Sequence, residues 1–440
     1  MTASSRIRQR DRDAILQSLA AGVVPRRGLQ HVQVGRAQEV SALLRDLERV
    51  VDGGSAIRFV IGEYGSGKSF FLHLIRSTAL EKQMVTMHGD LTPDRRIFAT
   101  GGQGRSLYTE LARNLSTRSH PDGGGLQSVV ERFIGEAHKT ARESGEETES
   151  VIREHLLELS ELVGGYDFAD VVAAYWRGHD EGNADLQNSA VRWLRGEYST
   201  KTDARRDLGV RTIIDDGNIY DMLKLLARFV RLAGYGGLIV AFDEMVNLYK
   251  LANTRARNSN YEQILRILND CLQGSVANLG FLMAGTPEFL TDTRRGLYSY
   301  EALQSRLSEN MFASAGVRDF SGPVLRLANL SPEELFVVLT KLRHVHAGGD
   351  EHEYALPDEA LHAFMEHCSQ NVGEAYFQTP RNSIRAFVQL LRVLEQNPST
   401  SWSELVAAVS IGPDSDSAVT GEPIPPPVDP ADDELVTLRL

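Results

Sequence analysis

The sequence predicts an α/β fold built on a parallel sheet, and three observations lead to that prediction. Short apolar segments of strand length recur before residue 290, at 56–61, 84–88, 236–242 and 279–284. Amphipathic stretches with helical spacing lie between them, and this alternation is typical of parallel strands joined by right-handed crossovers. From residue 330 onward the pattern is helical throughout, over 332–345, 357–368, 380–395 and 403–409.

These elements divide the chain into several parts, and its 440 residues are enough for two or three domains. We expect an N-terminal helical segment at 1–28, an α/β core at 29–328, a helical domain at 329–410 and a flexible acidic, proline-rich tail at 411–440. Residues 117–212 interrupt the core with many charges, a run of three glycines and amphipathic stretches. This interruption predicts a mostly helical insertion within the core.

Composition and charge restrict the location and class of the protein. No apolar run approaches the ~18 residues that a membrane span needs, and the basic N-terminus lacks the apolar segment of a secretory signal. Cys271 and Cys368 lie far apart without metal-ligand spacing, which suits a reducing cytoplasm. The net charge of −12 excludes a generally basic nucleic-acid coat protein but permits a local DNA-binding surface. We therefore expect a cytoplasmic protein without a membrane span.

Residues 62–69 read Gly-Glu-Tyr-Gly-Ser-Gly-Lys-Ser, which matches the phosphate-loop spacing G-x-x-x-x-G-K-[ST] in full. Phosphate oxygens need several converging backbone N–H donors, and a glycine-permissive loop before a helix N-terminus provides them. Lys68 would neutralise the β- and γ-phosphates, and the Ser69 hydroxyl would ligate Mg²⁺. The predicted nucleotide-binding residues of this loop are Gly62, Glu63, Tyr64, Gly65, Ser66, Gly67, Lys68, Ser69 and Phe70.

Two acids follow the apolar segment 238–242 directly. An acid at the tip of a central strand beside the phosphate-loop strand can hold the Mg²⁺ shell, and the next acid can polarise the attacking water. Asp243 is thus the predicted metal residue and Glu244 the predicted catalytic acid. Such a pair alone is a weak signal, but together with the phosphate loop it predicts ATP and Mg²⁺ as ligands, with hydrolysis.

Two weaker sequence signals each allow two interpretations. Val34 and Gly35, followed by Arg36, precede a predicted helix ahead of the phosphate loop. They suit a turn that lines an adenine pocket, or simply an ordinary strand-to-helix turn. Thr286 follows the strand after the Asp-Glu strand and suits a hydrogen bond to the γ-phosphate or the water. Alternatively it caps a helix that begins with Pro287.

Arginines beyond the last predicted strand are candidates for contacting phosphates. Arg306 lies on a semi-apolar segment and is predicted to reach the nucleotide of a neighbouring subunit, which implies a homo-oligomer. Its alternative role is a surface salt bridge with Glu301 or Glu309, and Arg294 and Arg295 compete for the same assignment.

Arg381 begins a helix of the C-terminal helical domain and is predicted to contact the γ-phosphate from a lid.

The motifs described above, taken in their order along the chain, resemble those of the AAA+ ATPases, especially the branch of origin-recognition-like and STAND-type ATPases. The turn at residues 34–36 looks like box II, the 62–69 loop like Walker A and the pair at 243–244 like Walker B. The resemblance further implies that Thr286 acts as sensor 1, Arg306 as the arginine finger and Arg381 as sensor 2. The resulting fold class is an AAA+-like P-loop NTPase core with a helical insertion and a C-terminal helical lid.

Segments 22–36, 61–72 and 302–312 more narrowly resemble the ATP-binding proteins of BREX-type bacterial phage-defence systems, up to about residue 410. This resemblance implies a motor or switch that works beside a helicase or DNA-modifying components. The 117–212 insertion departs from a minimal AAA+ core. The segment after residue 410 is shorter than the ~80 residues of a winged-helix DNA reader, so direct sequence-specific DNA binding is not expected. Other contact with DNA, directly or through partners, stays open. Two other functions remain open: a nucleotide-gated scaffold with little turnover, and a transposition-type regulator that loads onto DNA.

Overall fold

Five parallel strands form the central sheet of the protein. The computed structural model describes residues 6–308, 310, 319–372 and 380–408. The strands, numbered β1 to β5 in chain order, are Ser55–Ile61, Val85–Asp90, Leu238–Asp243, Leu279–Gly285 and Val324–Arg326. Their lateral order is β2-β3-β4-β1-β5, and every pair is parallel. The predicted α/β fold is confirmed.

The position of β3 corrects one prediction, because this strand does not lie beside the phosphate-loop strand. Leu279 of β4 pairs with Ser55 of β1 on one side and with Leu238 of β3 on the other. Chain order does not determine lateral order when crossovers skip a position. Strand β5 was not predicted, because its three residues are too few to produce a periodic pattern.

Helices connect and cover the strands. Those up to residue 308 are Gln9–Ala20, Leu29–Val32, Ala37–Val51, Lys68–Glu81, Gln103–Arg113, Leu126–Ser144, Thr148–His155, Gly165–Asp180, Ala184–Leu194, Lys201–Leu208, Ile219–Leu232, Val246–Tyr249, Thr254–Gln273, Pro287–Thr291 and Glu301–Leu307. The later ones are Pro332–His346, Asp358–Val372, Pro380–Gln396 and Trp402–Ala408, with short 3₁₀ turns at Leu157–Glu161, Leu297–Ser299 and Glu351–Glu353. Within the described ranges, no helix is both long and apolar enough to span a bilayer.

Two apolar layers enclose the sheet, because side chains of a strand alternate between its faces. Val60 of β1 packs toward the helices Ala37–Val51 and Lys68–Glu81. Phe59 faces the opposite layer, which also contains buried residues of segment 117–212. The helices of this segment therefore share the apolar core of the sheet.

A separate apolar cluster joins the N-terminus to the C-terminal helices. Ile7, Ile15 and Leu16 pack in one cluster with buried side chains of Pro332–His346 and Pro380–Gln396. The N-terminal helix and the C-terminal helices are thus held to each other by burial of apolar surface. The domain limits stay predictions, and the tail at 411–440 lies outside the described residues.

Candidate functional site

A cavity of about 740 Å³ opens at the carboxyl ends of β1, β3 and β4. In parallel sheets ligands bind at this edge, because the loops after the strands converge there. The phosphate loop from residue 64 lines it, as do the two acids after β3 and Thr286 after β4. Residues of the N-terminal segment and of Pro380–Gln396 close the opposite side. The sequence-predicted motifs therefore meet around one space.

The phosphate loop has the backbone conformation that its glycines permit. Gly65 and Gly67 adopt φ values of 77° and 82°, which side-chain-bearing residues rarely adopt. A Cβ at Gly62 would collide with the Ser66 hydroxyl and lie 3.1 Å from the Leu327 carbonyl oxygen. The loop ends at Gly67, where the helix Lys68–Glu81 begins. N–H groups at a helix N-terminus favour an anion, so this loop can bind a phosphate group.

The Lys68 ammonium lies over the start of the loop. Its Nζ donates hydrogen bonds to the carbonyl oxygens of Gly62 at 2.7 Å and Glu63 at 2.8 Å. It also lies 5.4 Å from the ring centre of Tyr64. Burial lowers the pKa of Lys68, and the carboxylates of Asp243 and Glu244 oppose that shift. One N–H of the ammonium remains available for a phosphate oxygen.

Ser69 and Asp243 form the predicted cation site. The Ser69 hydroxyl donates to Asp243 Oδ2 at 2.6 Å, which joins the phosphate-loop helix to the tip of β3 across the cavity floor. Hydroxyl and carboxylate oxygens are the hard donors that Mg²⁺ prefers, with substrate phosphates and water completing its octahedron. This pair therefore fits a Mg²⁺ ion held partly by a bound nucleotide.

Glu244 adopts a strained backbone conformation with φ of 56°. Its N–H donates to Asp243 Oδ1 at 2.8 Å, which fixes the turn after β3. Burial, and then the neighbouring Asp243 carboxylate, raises the pKa of Glu244. Non-glycine residues in this conformation are uncommon and concentrate at functional sites. Glu244 lines the cavity, so its carboxyl group can act on a ligand there.

The Thr286 side chain does not cap the helix that follows it, which was the alternative role predicted for this residue. Thr286 occupies the N-cap position before Pro287, but its side chain makes no capping hydrogen bond. Its hydroxyl is buried and has no hydrogen-bond partner among the described residues, while the residue lines the cavity. A buried unsatisfied hydroxyl costs free energy, and functional sites are where such groups are retained.

The predicted adenine turn contributes Val34 to the cavity wall. Gly35 adopts a φ of 66° and is not in the wall. A Cβ at Gly35 would collide with the carboxylate of Glu334, so the turn packs against the first turn of the helix Pro332–His346. Glycine is thus required here for close packing against the C-terminal helices.

Arg381 reaches the cavity from the C-terminal helices. It follows Pro380 at the start of its helix and lines the same cavity as the phosphate loop. Its Nε donates to the carbonyl oxygen of Gly22 at 2.7 Å, which ties that helix to the N-terminal segment. The structure therefore brings Arg381 together with the phosphate-loop residues.

The other candidate arginines lie away from the cavity wall of their own chain. Arg306 is exposed, and its guanidinium donates within its helix to the carbonyl oxygen of Ala302 at 2.8 Å. Within the described ranges no acid is in ion-pair distance of Arg306, and Glu309 lies outside those ranges. Arg295 donates to Leu251, and Arg294 is exposed.

Residues that the sequence analysis did not select also line the cavity. Asp90 at the end of β2 is in register with Asp243, and burial and then the Asp243 carboxylate raise its pKa. Its position at a strand end was a usable signal, although a single acid is weak evidence. Arg26 and His73 line the wall as well, and only the chain's tertiary fold brings them there.

A protein-family model supplies an independent finding. The model described as "BREX system ATP-binding protein BrxC/D" matches residues 7–410, which is most of the chain. This match confirms the resemblance to BREX ATP-binding proteins. No curated protein matches the chain.

Proposed function

Because the chain belongs to the family of BREX system ATP-binding proteins BrxC/D, we propose that it binds and hydrolyses ATP as a motor or switch in antiviral defence. One observation carries this proposal. The phosphate loop, the Asp243–Glu244 pair and Thr286 face a single cavity that Arg381 completes from the C-terminal helices. The presence of both acids, Asp243 for the cation and Glu244 for the attacking water, favours hydrolysis over a binding module without turnover.

The residues around the cavity would have the following roles in ATP binding and hydrolysis. Loop N–H groups and the Lys68 ammonium bind the phosphates, and Val34 contacts the base. Ser69 and Asp243 would hold Mg²⁺, which would supply positive charge to the phosphate groups. Glu244 accepts a hydrogen bond from the attacking water and orients it in line with the γ-phosphate.

Phosphate release with purified protein tests hydrolysis. We expect Mg²⁺-dependent turnover that Lys68→Ala abolishes through loss of ATP binding, while Glu244→Gln still binds ATP. A parental protein that binds ATP tightly without releasing phosphate would overturn the proposal in favour of a nucleotide-gated scaffold. Strong stimulation by double-stranded DNA, with filaments, would instead favour a DNA-loading regulator.

We also propose a homo-oligomer whose nucleotide sites are shared, with Arg306 contacting the γ-phosphate of the adjacent subunit. The exposed position of Arg306, away from its own cavity, supports this role. An arginine supplied by a neighbour can raise hydrolysis on the order of 10³-fold or more. Light scattering should show a larger particle with ATP than without it.

A mixing experiment tests the shared site. Glu244→Gln and Arg306→Ala proteins should each be inactive, and their mixture should regain turnover because some interfaces pair both intact residues. Arg294→Ala is the comparison, because exposed Arg294 competes for the same assignment: it should retain activity, and its inactivity would move the role from Arg306 to Arg294. Full activity of Arg306→Ala, or a monomer with ATP, would refute the model.

The remaining proposals concern the cellular setting. Membership of a BREX family supports other components of that system as partners, including a helicase or DNA-modifying protein. Cys271 and Cys368 are both buried and no disulfide joins them, which supports a reducing cytoplasm. Contact with DNA, directly or through these partners, is tested by measuring ATP turnover with and without DNA.

A further inference from the structure

Arg36 connects the phosphate loop to the linker that leads into the C-terminal helices. Its Nη2 donates a hydrogen bond to the Ser66 carbonyl oxygen in the middle of the loop. The same nitrogen donates to the Ala328 carbonyl oxygen at 3.2 Å, just beyond β5. We infer that Arg36 is a positioning residue that aims and polarises a phosphate-binding N–H of the loop. This inference rests on the proposed ATP binding, and it names a residue outside the phosphate-loop motif that supports phosphate binding.

Peptide geometry gives the physical basis. The Ser66 carbonyl and the Gly67 N–H belong to one planar trans peptide, so they point in opposite directions. Holding the carbonyl at Arg36 therefore turns the N–H away from the guanidinium, toward the other side of the loop. Gly67 precedes the helix Lys68–Glu81, where orphan N–H groups attract anions. A cation on the carbonyl also makes the N–H of the same peptide a stronger donor.

The surroundings of Arg36 hold its side chain in this place. Both terminal nitrogens lie 3.7 Å from the position that a Cβ on Gly67 would occupy, so they lie directly against the backbone of the loop. Arg36 itself adopts a φ of 60° at the start of the helix Ala37–Val51. Burial lowers the pKa of Arg36, and the carboxylates of Glu39 and Glu334 oppose the shift. The guanidinium is thus held by carbonyl oxygens of the loop and the linker, and the nearby carboxylates favour its charged form.

This arrangement predicts a distinct binding signature. The loop N–H serves phosphates common to ATP and ADP, so Arg36→Ala should weaken both nucleotides alike, by about 10- to 100-fold for a charge-assisted contact. Inorganic tripolyphosphate, which has no base, should lose affinity by a similar factor. A direct contact between Arg36 and the adenine would instead spare tripolyphosphate.

Isothermal titration of the full chain with ATP, ADP and tripolyphosphate tests the inference. Arg45→Ala is the matched control, because it removes an exposed arginine from the same helix and should bind all three normally. Arg36→Gln, which keeps a polar side chain without the charge, is titrated alongside in case the alanine variant unfolds. Thermal unfolding without nucleotide verifies that each variant is folded.

The outcomes separate the inference from the proposed function. Normal tripolyphosphate affinity in a folded Arg36 variant would overturn the positioning role, whether or not ATP binding is weakened. If the parental protein and Lys68→Ala bind ATP equally, the phosphate-loop function itself fails. Equal loss of all three ligands in the Arg36 variants, with Arg45→Ala unaffected, supports the inference.

Discussion

Thr286→Val distinguishes the two roles that the sequence left open for this residue. Valine has nearly the shape of threonine but no hydroxyl, so the substitution removes one polar atom and little else. In the structure that hydroxyl caps no helix and has no partner among the described residues, although it is buried at the cavity wall. Stability and turnover should therefore respond in opposite directions.

The expected magnitudes follow from the environment of the hydroxyl. An unsatisfied buried polar group costs about 1–3 kcal/mol, and replacing it by an apolar group of the same shape is neutral or stabilising. We expect the free energy of unfolding without nucleotide to stay level or rise by up to about 1 kcal/mol. A lost hydrogen bond to a charged phosphate contributes about 1.5–3 kcal/mol, which corresponds to about a 10- to 150-fold lower kcat.

Urea unfolding and steady-state phosphate release measure the two quantities. Thr291→Val is the matched control, because the Thr291 hydroxyl donates to the Pro287 carbonyl at 2.9 Å within the same short helix. This control should lose about 1 kcal/mol of stability and keep its turnover. If Thr286→Val instead loses about 1 kcal/mol, as an N-cap would, and hydrolyses ATP at the parental rate, the assignment is wrong.

Three further predictions concern other residues. Glu244→Gln should bind ATP normally by calorimetry but slow phosphate release by about a hundredfold or more, because an amide cannot accept a proton from water. Arg381→Ala should bring the ATP:ADP affinity ratio in nucleotide titrations closer to one, because Arg381 faces the cavity from the C-terminal helices. Asp46→Ala should lower the free energy of unfolding in urea by about 3–5 kcal/mol, because it leaves the buried Arg58 guanidinium without its carboxylate. Its control, Glu48→Ala, removes a carboxylate from an exposed ion pair and should lower it by less than about 1 kcal/mol. Parental turnover in Glu244→Gln would contradict the first argument, and an unchanged ATP:ADP affinity ratio in Arg381→Ala the second. Equal losses of unfolding free energy in Asp46→Ala and Glu48→Ala would contradict the third.

The phosphate loop and the acid pair in the cavity wall were predictable because these motifs are local. A glycine-rich loop between an apolar strand and a helix specifies its own backbone conformation, and Gly65 and Gly67 adopt positive φ as that requires. The acids after β3 were predictable because strand ends in a parallel sheet share one edge. Asp90 was missed because a single acid after a strand is weak evidence, although its position at a strand end was a usable signal.

Which strands lie next to each other in the sheet was not predictable from the sequence. The sequence suggested that Asp243 follows a strand beside β1, but β4 separates the two strands. This order puts Thr286 after the strand between the phosphate loop and Asp243, and it depends on which crossovers skip a position. The three-residue strand β5 pairs with β1 through backbone hydrogen bonds that no side-chain pattern announces.

The sequence by itself determined the α/β class, the phosphate loop and the pair of acids, because each depends on backbone and side-chain chemistry within a few consecutive residues. Only the tertiary structure decided that Arg36 holds the Ser66 carbonyl and that Arg381 reaches the same cavity. It also decided that the Thr286 hydroxyl lacks a cap partner. These facts join segments far apart in the chain, and such contacts are set by how apolar layers pack against one sheet, which no local pattern encodes.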